Sequence, residues 1–503
     1  MNTLNNIVVG FGAMGTPVCL LLNLAGVIIG IVFGALPGLS STMALVLFLP
    51  LTYSLKLYPA FALLLGLYIG SMSGSLISAI LINIPGQPAS IATTWDGAPM
   101  AKKGEAKKAL GVAIVFSFLA TILSIVVMMF IAPPLSKLAL KFSAVEYFAL
   151  GILSLTLVAS LSGDNIFKGL TACLLGMAVG TIGLDPIDIS ERYTFGIPQL
   201  KNGVPLISVA IGLFAFAELL RGASNRRNLI ITAKIDNKKK TRGFGFTIEE
   251  FKSQIGNFFR SSAIGVGIGI LPGFGGAVSN IVAYGAAKKA SKYPEKFGTG
   301  IIDGIVASES SNNASIGGAM VPLLTMGIPG DQVTVILLGA FSMKGLEAGP
   351  MLFRTEISLV YAIYAAMVIA TIFMLFCEFY GIDIFVKILN IPLRYILSVV
   401  AVLCMIGAYQ NRTEMFDIGL CIACGVLAFV MDVFDYPLAP LTLGYILGSM
   451  VETNLRRGMM LTKSSFLGFF RYPIASVIMA MTILFVLWNI VSGIRESRKS
   501  GSD

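Results

Sequence analysis

The 503-residue chain contains no histidine, and only 12% of its residues are charged. The absence of histidine excludes imidazole metal sites and histidine-based catalytic triads. The chain also lacks a Walker-type phosphate loop, and no nucleophile–base pair can be named in it. Because a soluble domain carries about 25% charged residues, the charge content points away from a soluble protein. No catalytic residue is expected, and a membrane enzyme is only a weak alternative.

Apolar residues take the place of the missing charges. They make up 56% of the chain, and residues 111–131, 357–376 and 474–491 each have the roughly 20 positions needed to span a bilayer. A transmembrane β-barrel would show short alternating strands instead. The sequence therefore predicts an all-α integral membrane protein with about 11 to 14 membrane segments.

The net charge of +10 comes from lysines and arginines that gather in a few hydrophilic connections. These are residues 102–108, 226–242, 288–296 and 495–499. The positive-inside rule places these connections and the C-terminus in the cytoplasm. The N-terminus lacks the basic start of a signal peptide, so we expect it outside the membrane. No basic patch interleaved with aromatic residues indicates nucleic-acid binding.

Two Pro-Gly motifs occur twice, in the same order. Leu-Pro-Gly at residues 36–38 returns at 271–273, and Ile-Pro-Gly at 84–86 returns at 328–330. The prolines lie 235 residues apart in the first pair and 244 in the second, which indicates an internal duplication. A basic cluster follows the Ile-Pro-Gly crossing in the first copy but precedes it in the second. This order predicts two inverted repeats with broken helices or re-entrant hairpins.

The duplication predicts three parts of the chain. Residues 1–220 would form the first transmembrane repeat with scaffold helices, and residues 255–503 the second repeat with the C-terminal helices. Residues 221–254 between them would form a cytoplasmic linker and an amphipathic helix. That helix is expected at residues 247–259, where apolar side chains recur on one side.

The most polar stretch within apolar sequence runs from Ser308 to Ser315. Because polar groups in lipid cost several kcal/mol each without partners, this run should face a cavity, an ion or a buried protein interface. Broken helices expose backbone N–H groups that favour anions, and carbonyl groups that can coordinate Na⁺. We expect the breaks of the two repeats to face each other near the midplane and to form a site there. For a single motif, tight packing or a kink is the alternative explanation.

The candidate residues fall into two groups. Expected substrate-binding residues are Pro37, Gly38, Ser40, Ser41, Thr42, Ser73, Gly74, Ser75, Gly273, Gly275, Gly276, Asn312 and Asn313. Expected cation-binding or gating residues are Asn83, Pro85, Gly86, Ser308, Glu309, Ser310, Pro329, Gly330 and Asp331. Ser40, Ser41 and Thr42 also suit the cap of a new helix. No cofactor is expected, and Na⁺ is considered only as a coupling ion.

The acidic residues have different expected roles. Glu309 is favoured as a cation-binding or network residue, because an intramembrane acid is a functional candidate. For Asp331, helix capping is an equally good explanation. Asp96 is expected in a turn with Gly97. Structural roles are favoured for the isolated acids Glu218, Glu378 and Asp432.

The chain resembles the large membrane subunit of tripartite tricarboxylate transporters, the TctA family, in the order of five motifs. These are GALPGLSSTM, SGSLISAILINIPG, DGAPMAKKGEAKKALG, GILPGFGGAVSN and SESSNNASIGGAMVPLLTMGIPG. The resemblance covers residues 26–350 and, more loosely, the C-terminus. The family typically has a proline and small residues before the asparagine pair, where this chain has residues 308–311. The glutamate and both asparagines are kept at Glu309, Asn312 and Asn313.

The resemblance implies a secondary transporter of the bacterial inner membrane. Such a system uses a small TctB-like membrane subunit and a periplasmic TctC-like solute-binding protein. It would take up a tricarboxylate such as citrate, or a related dicarboxylate, with Na⁺ or H⁺. A passive anion channel or a non-transporting scaffold is the alternative, and self-association into a homo-oligomer stays open.

Overall fold

A computed structural model describes residues 3–160, 166–224, 243–389 and 391–500. Seven helices within these ranges are long and apolar enough to cross a membrane. Four further apolar helices are shorter. The predicted all-α membrane fold is confirmed, whereas the number of crossings stays a prediction. Most of the predicted linker, residues 225–242, lies outside the described residues.

The elements follow one another along the chain with short connections. The first half contains α1 (Thr3–Met14), α2 (Pro17–Ala35), α3 (Ser41–Phe48), α4 (Leu57–Ile82), α5 (Ile91–Met100), α6 (Ala106–Ala139), α7 (Ala144–Ser160), α8 (Ile166–Gly180), β1 (Gly183–Leu184), β2 (Glu191–Arg192), α9 (Leu206–Ala210) and α10 (Ala217–Ser224). The second half contains α11 (Ile248–Ile270), α12 (Gly275–Ala290), α13 (Ile302–Met326), α14 (Gln332–Met343), α15 (Leu352–Thr355), α16 (Ile357–Leu389), α17 (Leu393–Arg412), α18 (Met415–Val433), α19 (Leu438–Leu461) and α20 (Pro473–Ser500). The two short strands pair in antiparallel fashion.

The chain divides into two compact units. Unit 1 comprises residues 1–137 and 207–429, and unit 2 comprises residues 138–206 and 430–503. All four Pro-Gly motifs and the polar run lie in unit 1. The candidate site is therefore built within one unit.

Proline and glycine end the helices of unit 1 where the sequence predicts breaks. α2 ends before Leu36, which is extended, and Gly38 then has φ of +89°. Ser40 caps α3, since its hydroxyl oxygen accepts a hydrogen bond of 3.1 Å from the N–H of Met43. The predicted capping role of this serine is confirmed.

The second copy repeats the backbone conformation of the first. Gly273 has φ of +85° where Gly38 has +89°. Gly327 ends α13 with φ of +70°, and Asn83 ends α4 in the same left-handed region with φ of +57°. These pairs keep the 235- and 244-residue offsets of the prolines. The duplication is thus present in the backbone, and the inverted direction of the second repeat stays a prediction.

Glycines bring the main helix pairs of unit 1 into backbone contact. α2 packs along α4, and α11 packs along α13. A Cβ atom on Gly34 would lie 2.1 Å from the carbonyl oxygen of Ser71. A Cβ atom on Gly265 would lie 2.3 Å from the carbonyl oxygen of Ser311. Such close approach requires small residues, and in the second copy it holds the polar run of α13 against α11.

The predicted amphipathic helix is the first part of the longer helix α11. Thr247 caps its start, and the helix continues to Ile270. The rings of Phe251 and Phe258 lie 5.4 and 5.9 Å from that of Phe116 on α6. One aromatic face of the segment is therefore used for packing within unit 1.

Unit 2 packs α7, α8, α19 and α20 together, and its loop between α8 and α9 is held by charged groups. The carboxylate of Asp185 accepts hydrogen bonds from the N–H groups of Ile187 and Asp188, at 2.7 and 2.8 Å. It also pairs with Arg192 and Arg456. The Asp188 and Ile187 N–H groups, with the guanidinium groups of Arg456 and Arg192, lower the pKa of Asp185 to about 2.

Candidate functional site

The two Pro-Gly turns of each copy lie against each other. In the second copy, the N–H of Gly273 donates a hydrogen bond of 2.8 Å to the carbonyl oxygen of Gly330. In the first copy, a Cβ atom on Gly86 would lie 2.0 Å from the carbonyl oxygen of Gly34. Because these glycines carry no side chain, each Ile-Pro-Gly turn reaches the backbone of the helix that leads into the Leu-Pro-Gly turn.

Side-chain contacts then join the first copy to the second. The hydroxyl of Tyr68 on α4 donates to Asp331 Oδ2 at 2.6 Å. Asn280 on α12 accepts a hydrogen bond of 3.1 Å from the N–H of Ala92 at the start of α5. The four Pro-Gly turns therefore converge on one buried region of unit 1, although they are far apart in sequence.

Gln87 follows the first Ile-Pro-Gly turn and reaches the start of α3. Its Oε1 accepts hydrogen bonds from the Ser41 hydroxyl at 2.6 Å and from the Ser41 N–H at 3.3 Å. Its Nε2 donates to the carbonyl oxygen of Ser71 at 3.1 Å. Nothing in the sequence pattern singles out Gln87. Its amide oxygen uses the donors that the first helix break leaves free.

Asp96 lies inside α5, so the predicted turn at this residue is wrong. Gly97 is not a turn residue here, since a Cβ atom on it would lie 2.7 Å from Ile80 Cγ1 and the glycine allows close helix packing. The Asp96 carboxylate accepts a hydrogen bond from the Tyr284 hydroxyl at 2.8 Å. It also accepts from the backbone N–H groups of Gly298, Gly300 and Ile301. Asp96 therefore orders the chain that leads into α13.

Glu309 is the acid at the centre of the polar run, and it is 0% exposed. Its Oε1 accepts a hydrogen bond from the Thr93 hydroxyl at 2.5 Å. Its Oε2 accepts from the Ser117 hydroxyl at 3.0 Å and from Asn313 Nδ2 at 3.3 Å. The ion pairs found among the described residues all lie elsewhere. Since an uncompensated buried charge is costly, this carboxyl group suits a bound cation or a proton.

Four oxygen atoms next to Glu309 have no hydrogen-bond partner. They belong to consecutive buried residues: Ser310 Oγ, Ser311 Oγ, Asn312 Oδ1 and Asn313 Oδ1. Asn312 Oδ1 lies beside the start of α12, since a Cβ atom on Gly276 would be 2.4 Å from it. Buried polar atoms nearly always have partners, so these oxygens indicate a binding site.

The chemistry of this region fits a hard cation. No group of three or more His, Cys, Asp or Glu side chains that could hold a metal ion occurs in the described parts of the chain. The available donors are hydroxyl and amide oxygens around the single carboxylate of Glu309. Hard cations take oxygen ligands, whereas transition metals favour nitrogen and sulfur. Na⁺ therefore fits these donors.

The remaining predicted residues take several positions. Ser41, Thr42, Ser73, Ser75 and Ser308 are buried polar residues, and the Ser308 hydroxyl lies 3.0 Å from that of Thr93. Asp331 caps α14, and its Oδ1 accepts from the Thr334 N–H at 2.7 Å. Asn83 is exposed at the end of α4. The turns themselves contain Pro37, Pro85 and Pro329, while Gly74 faces α2 and Gly275 faces Asp331.

Comparison with known proteins places the chain in a family. The model of the "Tripartite tricarboxylate transporter TctA family" matches residues 20–443. The chain belongs to the TctA family. The match includes every candidate site residue, and the resemblance inferred from the five motifs is confirmed. As a TctA-family member, the chain is a subunit of a tripartite tricarboxylate transporter.

Two relatives come from Agrobacterium vitis. This TctA-family chain is 34% identical over 498 residues to an uncharacterized 52.8 kDa protein in the TAR-I ttuC' 3'region, covering 99% of this chain and 98% of the relative. It is 32% identical over 231 residues to an uncharacterized protein in the TAR-II ttuC' 3'region, covering 46% of this chain and 96% of the relative. No solved structure matches the chain.

Proposed function

We propose that this TctA-family subunit imports organic carboxylates across the bacterial inner membrane, driven by a cation gradient. The substrate is a tricarboxylate such as citrate, or a related dicarboxylate. A periplasmic solute-binding protein supplies it, and a small membrane subunit completes the system. The observation that carries the proposal is the buried carboxylate of Glu309, which has neutral donors only and lies beside four partnerless oxygens.

The cation would bind at the polar run of α13. Glu309 supplies the negative charge, and the free oxygens of Ser310, Ser311, Asn312 and Asn313 lie on the following turn of the same helix. A cation here offsets the charge of Glu309 and fills the empty coordination of these atoms. This explains why a helix buried along nearly its whole length keeps so many polar residues.

The carboxylate substrate would bind at the start of α3. The N–H and hydroxyl of Ser41 both donate to Gln87 Oε1, a neutral oxygen that has the geometry of a carboxylate oxygen. The N-terminal end of a helix favours anions, because its N–H groups are free and its dipole is positive there. A substrate carboxylate would displace the Gln87 side chain and take over both donors.

The two binding regions are connected through α4, which explains coupling. The carbonyl oxygen of Ser71 accepts from Gln87, and that of Met72 accepts from Asn312 Nδ2 at 3.5 Å. Opposite charges held in a medium of low dielectric stabilise each other strongly. Cation and carboxylate would therefore bind together much better than either binds alone, and the gradient of one drives transport of the other.

Uptake of labelled citrate into proteoliposomes tests this function. The vesicles contain the subunit with its small membrane subunit, and the solute-binding protein is added outside. An inward Na⁺ gradient should accelerate uptake, and Glu309→Gln should abolish that acceleration. Glu249→Gln, at an exposed position of α11, is the matched control and should behave as the wild type. Uptake that is independent of any cation gradient would instead identify a passive channel.

A further inference from the structure

Glu378 is a second fully buried acid of unit 1, and it lies outside the polar run. It belongs to the 33-residue apolar helix α16 and is 0% exposed. Its Oε2 accepts a hydrogen bond of 2.9 Å from the Ser73 hydroxyl on α4. Its Oε1 has no hydrogen-bond partner. The sequence pattern favoured a structural role for this isolated acid, and the environment of its side chain contradicts that interpretation.

The two buried acids differ in the number of their donors. Glu309 accepts hydrogen bonds from three side chains, whereas Glu378 accepts from one. An ionised carboxylate has about four acceptor positions and no donor, so it needs several donors or a cation when buried. A protonated carboxyl group needs much less, because one oxygen becomes a hydroxyl. The single bond from Ser73 therefore suits a neutral acid.

The neighbouring helices do not offset a negative charge on Glu378. Helices α1, α2 and α4 pack against α16, and none of them contains Asp, Glu, Lys or Arg. α15 also contacts α16 and carries Arg354, but it precedes the start of α16, about 30 Å along the helix from Glu378. The groups that act on Glu378 electrostatically or adjoin it are Glu309 of α13 and Cys377, and neither is a cation.

α4 links Glu378 to the proposed transport site. Three consecutive residues of α4 make the connection: Ser71 contacts Gln87, Met72 contacts Asn312, and Ser73 contacts Glu378. A change at either binding region that shifts this turn of α4 therefore changes the one hydrogen bond of Glu378. The acid is placed where its proton can respond to binding at a distance.

We propose that Glu378 binds a proton in this state and exchanges it with water during the transport cycle, so that a proton accompanies the cation at Glu309. The inference rests on the proposed transport function for its role in the cycle. The step is a reversible protonation of the carboxylate, without any change in covalent bonding elsewhere. It adds a proton site on α16 to the cation site on α13.

Infrared spectroscopy of the purified full chain tests the proton without any substrate. The carbonyl stretch of a protonated carboxylic acid should be present in the wild type at neutral pH and absent from Glu378→Gln. It should persist in Asp383→Asn, an exposed acid of the same helix. Ser73→Ala should move this band to higher frequency, because the carbonyl loses its donor. That shift tests the assignment even if Glu378→Gln does not fold. A spectrum unchanged by both Glu378→Gln and Ser73→Ala would overturn the proposal.

Transport by the complete system tests the role of the proton. Glu378→Gln should keep exchange of labelled for unlabelled carboxylate but lose acceleration of net uptake by a pH gradient. An unchanged response to the pH gradient would show that Glu378 carries no transported proton. The proposed function fails separately, namely if the wild type imports no carboxylate, whereas the infrared result does not depend on transport.

Discussion

Tyr68 and Asp331 form a hydrogen bond of 2.6 Å between residues that are 263 positions apart in the chain. The tyrosine hydroxyl, on α4 of the first repeat, donates to Oδ2 of the aspartate. The other carboxylate oxygen, Oδ1, accepts from the Thr334 N–H and caps α14. Both side chains are buried. This one carboxylate therefore orders a helix of the second repeat and fixes that helix to the first.

Replacing Tyr68 by phenylalanine should destabilise the protein. The change leaves Asp331 Oδ2 without its donor in a buried position, which costs about 1–3 kcal/mol. Tyr364→Phe is the matched control, because the Tyr364 hydroxyl is buried but has no hydrogen-bond partner. Thermal melting of the purified protein measures both variants. A lower melting temperature is expected for Tyr68→Phe only, and equal melting of the two variants would contradict the importance of this bond.

Replacing Gln87 by glutamate should block transport. The new carboxylate would lie where the N–H and hydroxyl of Ser41 converge, and it would compete with the carboxylate of the substrate. A hydrogen bond to a charged group contributes about 1.5–3 kcal/mol, so we expect citrate uptake to fall at least about tenfold. Gln87→Ala removes the competitor and should retain uptake. Wild-type uptake by Gln87→Glu would place the substrate elsewhere.

Replacing Gly34 by alanine should weaken the contact between α2 and α4. The new Cβ atom would lie 2.1 Å from the carbonyl oxygen of Ser71, and overpacking of this kind costs about 1–3 kcal/mol. In α11, a Cβ atom on Gly267 has nothing within 4 Å, so Gly267→Ala is the control. Melting temperatures of the two variants should differ clearly. If Gly34→Ala melts with the wild type, the helices are not held by backbone contact there.

The loop of unit 2 should loosen only in strong acid. The pKa of Asp185, held at about 2 by the N–H of Asp188 and its other partners, is below the ordinary value of about 3.9. The folded loop thus favours the ionised form. Its stabilisation is complete above the ordinary value and is lost as the pH falls through about 2.

Cleavage by an acid-stable protease within residues 183–205 measures this loosening. In the wild type, cleavage should rise as the pH falls below the ordinary aspartate value. In Asp185→Asn, cleavage should be fast at neutral pH already and should change little with acid. Slow cleavage of the variant at neutral pH would show that other contacts hold the loop.

The breaks in the fold could be predicted from the sequence, because their causes are local. Proline lacks an N–H and glycine adopts positive φ, so the turns at Gly38 and Gly273 follow from their own residues. The same holds for Ser40, whose hydroxyl caps the helix that begins next to it. The duplication was visible because these local causes recur at fixed offsets.

The polar contacts between distant segments could not be predicted in this way. Glu378 and Ser73 are 305 residues apart, and an isolated acid in an apolar helix carries no pattern that names its partner. Gln87 likewise shows its role only through Ser41. Asp96 was misassigned to a turn because the following glycine serves helix packing instead. These residues depend on tertiary structure rather than on local sequence.

A cation-dependent melting experiment tests the central claim, that the oxygens around Glu309 bind Na⁺. A ligand that binds only the folded state raises the melting temperature as its concentration rises. Purified wild-type protein and Glu249→Gln should melt at higher temperature in NaCl than in an equal concentration of KCl. Glu309→Gln should show no such difference between the salts. If Na⁺ stabilises Glu309→Gln as much as the wild type, or stabilises neither protein, the cation site does not lie at Glu309.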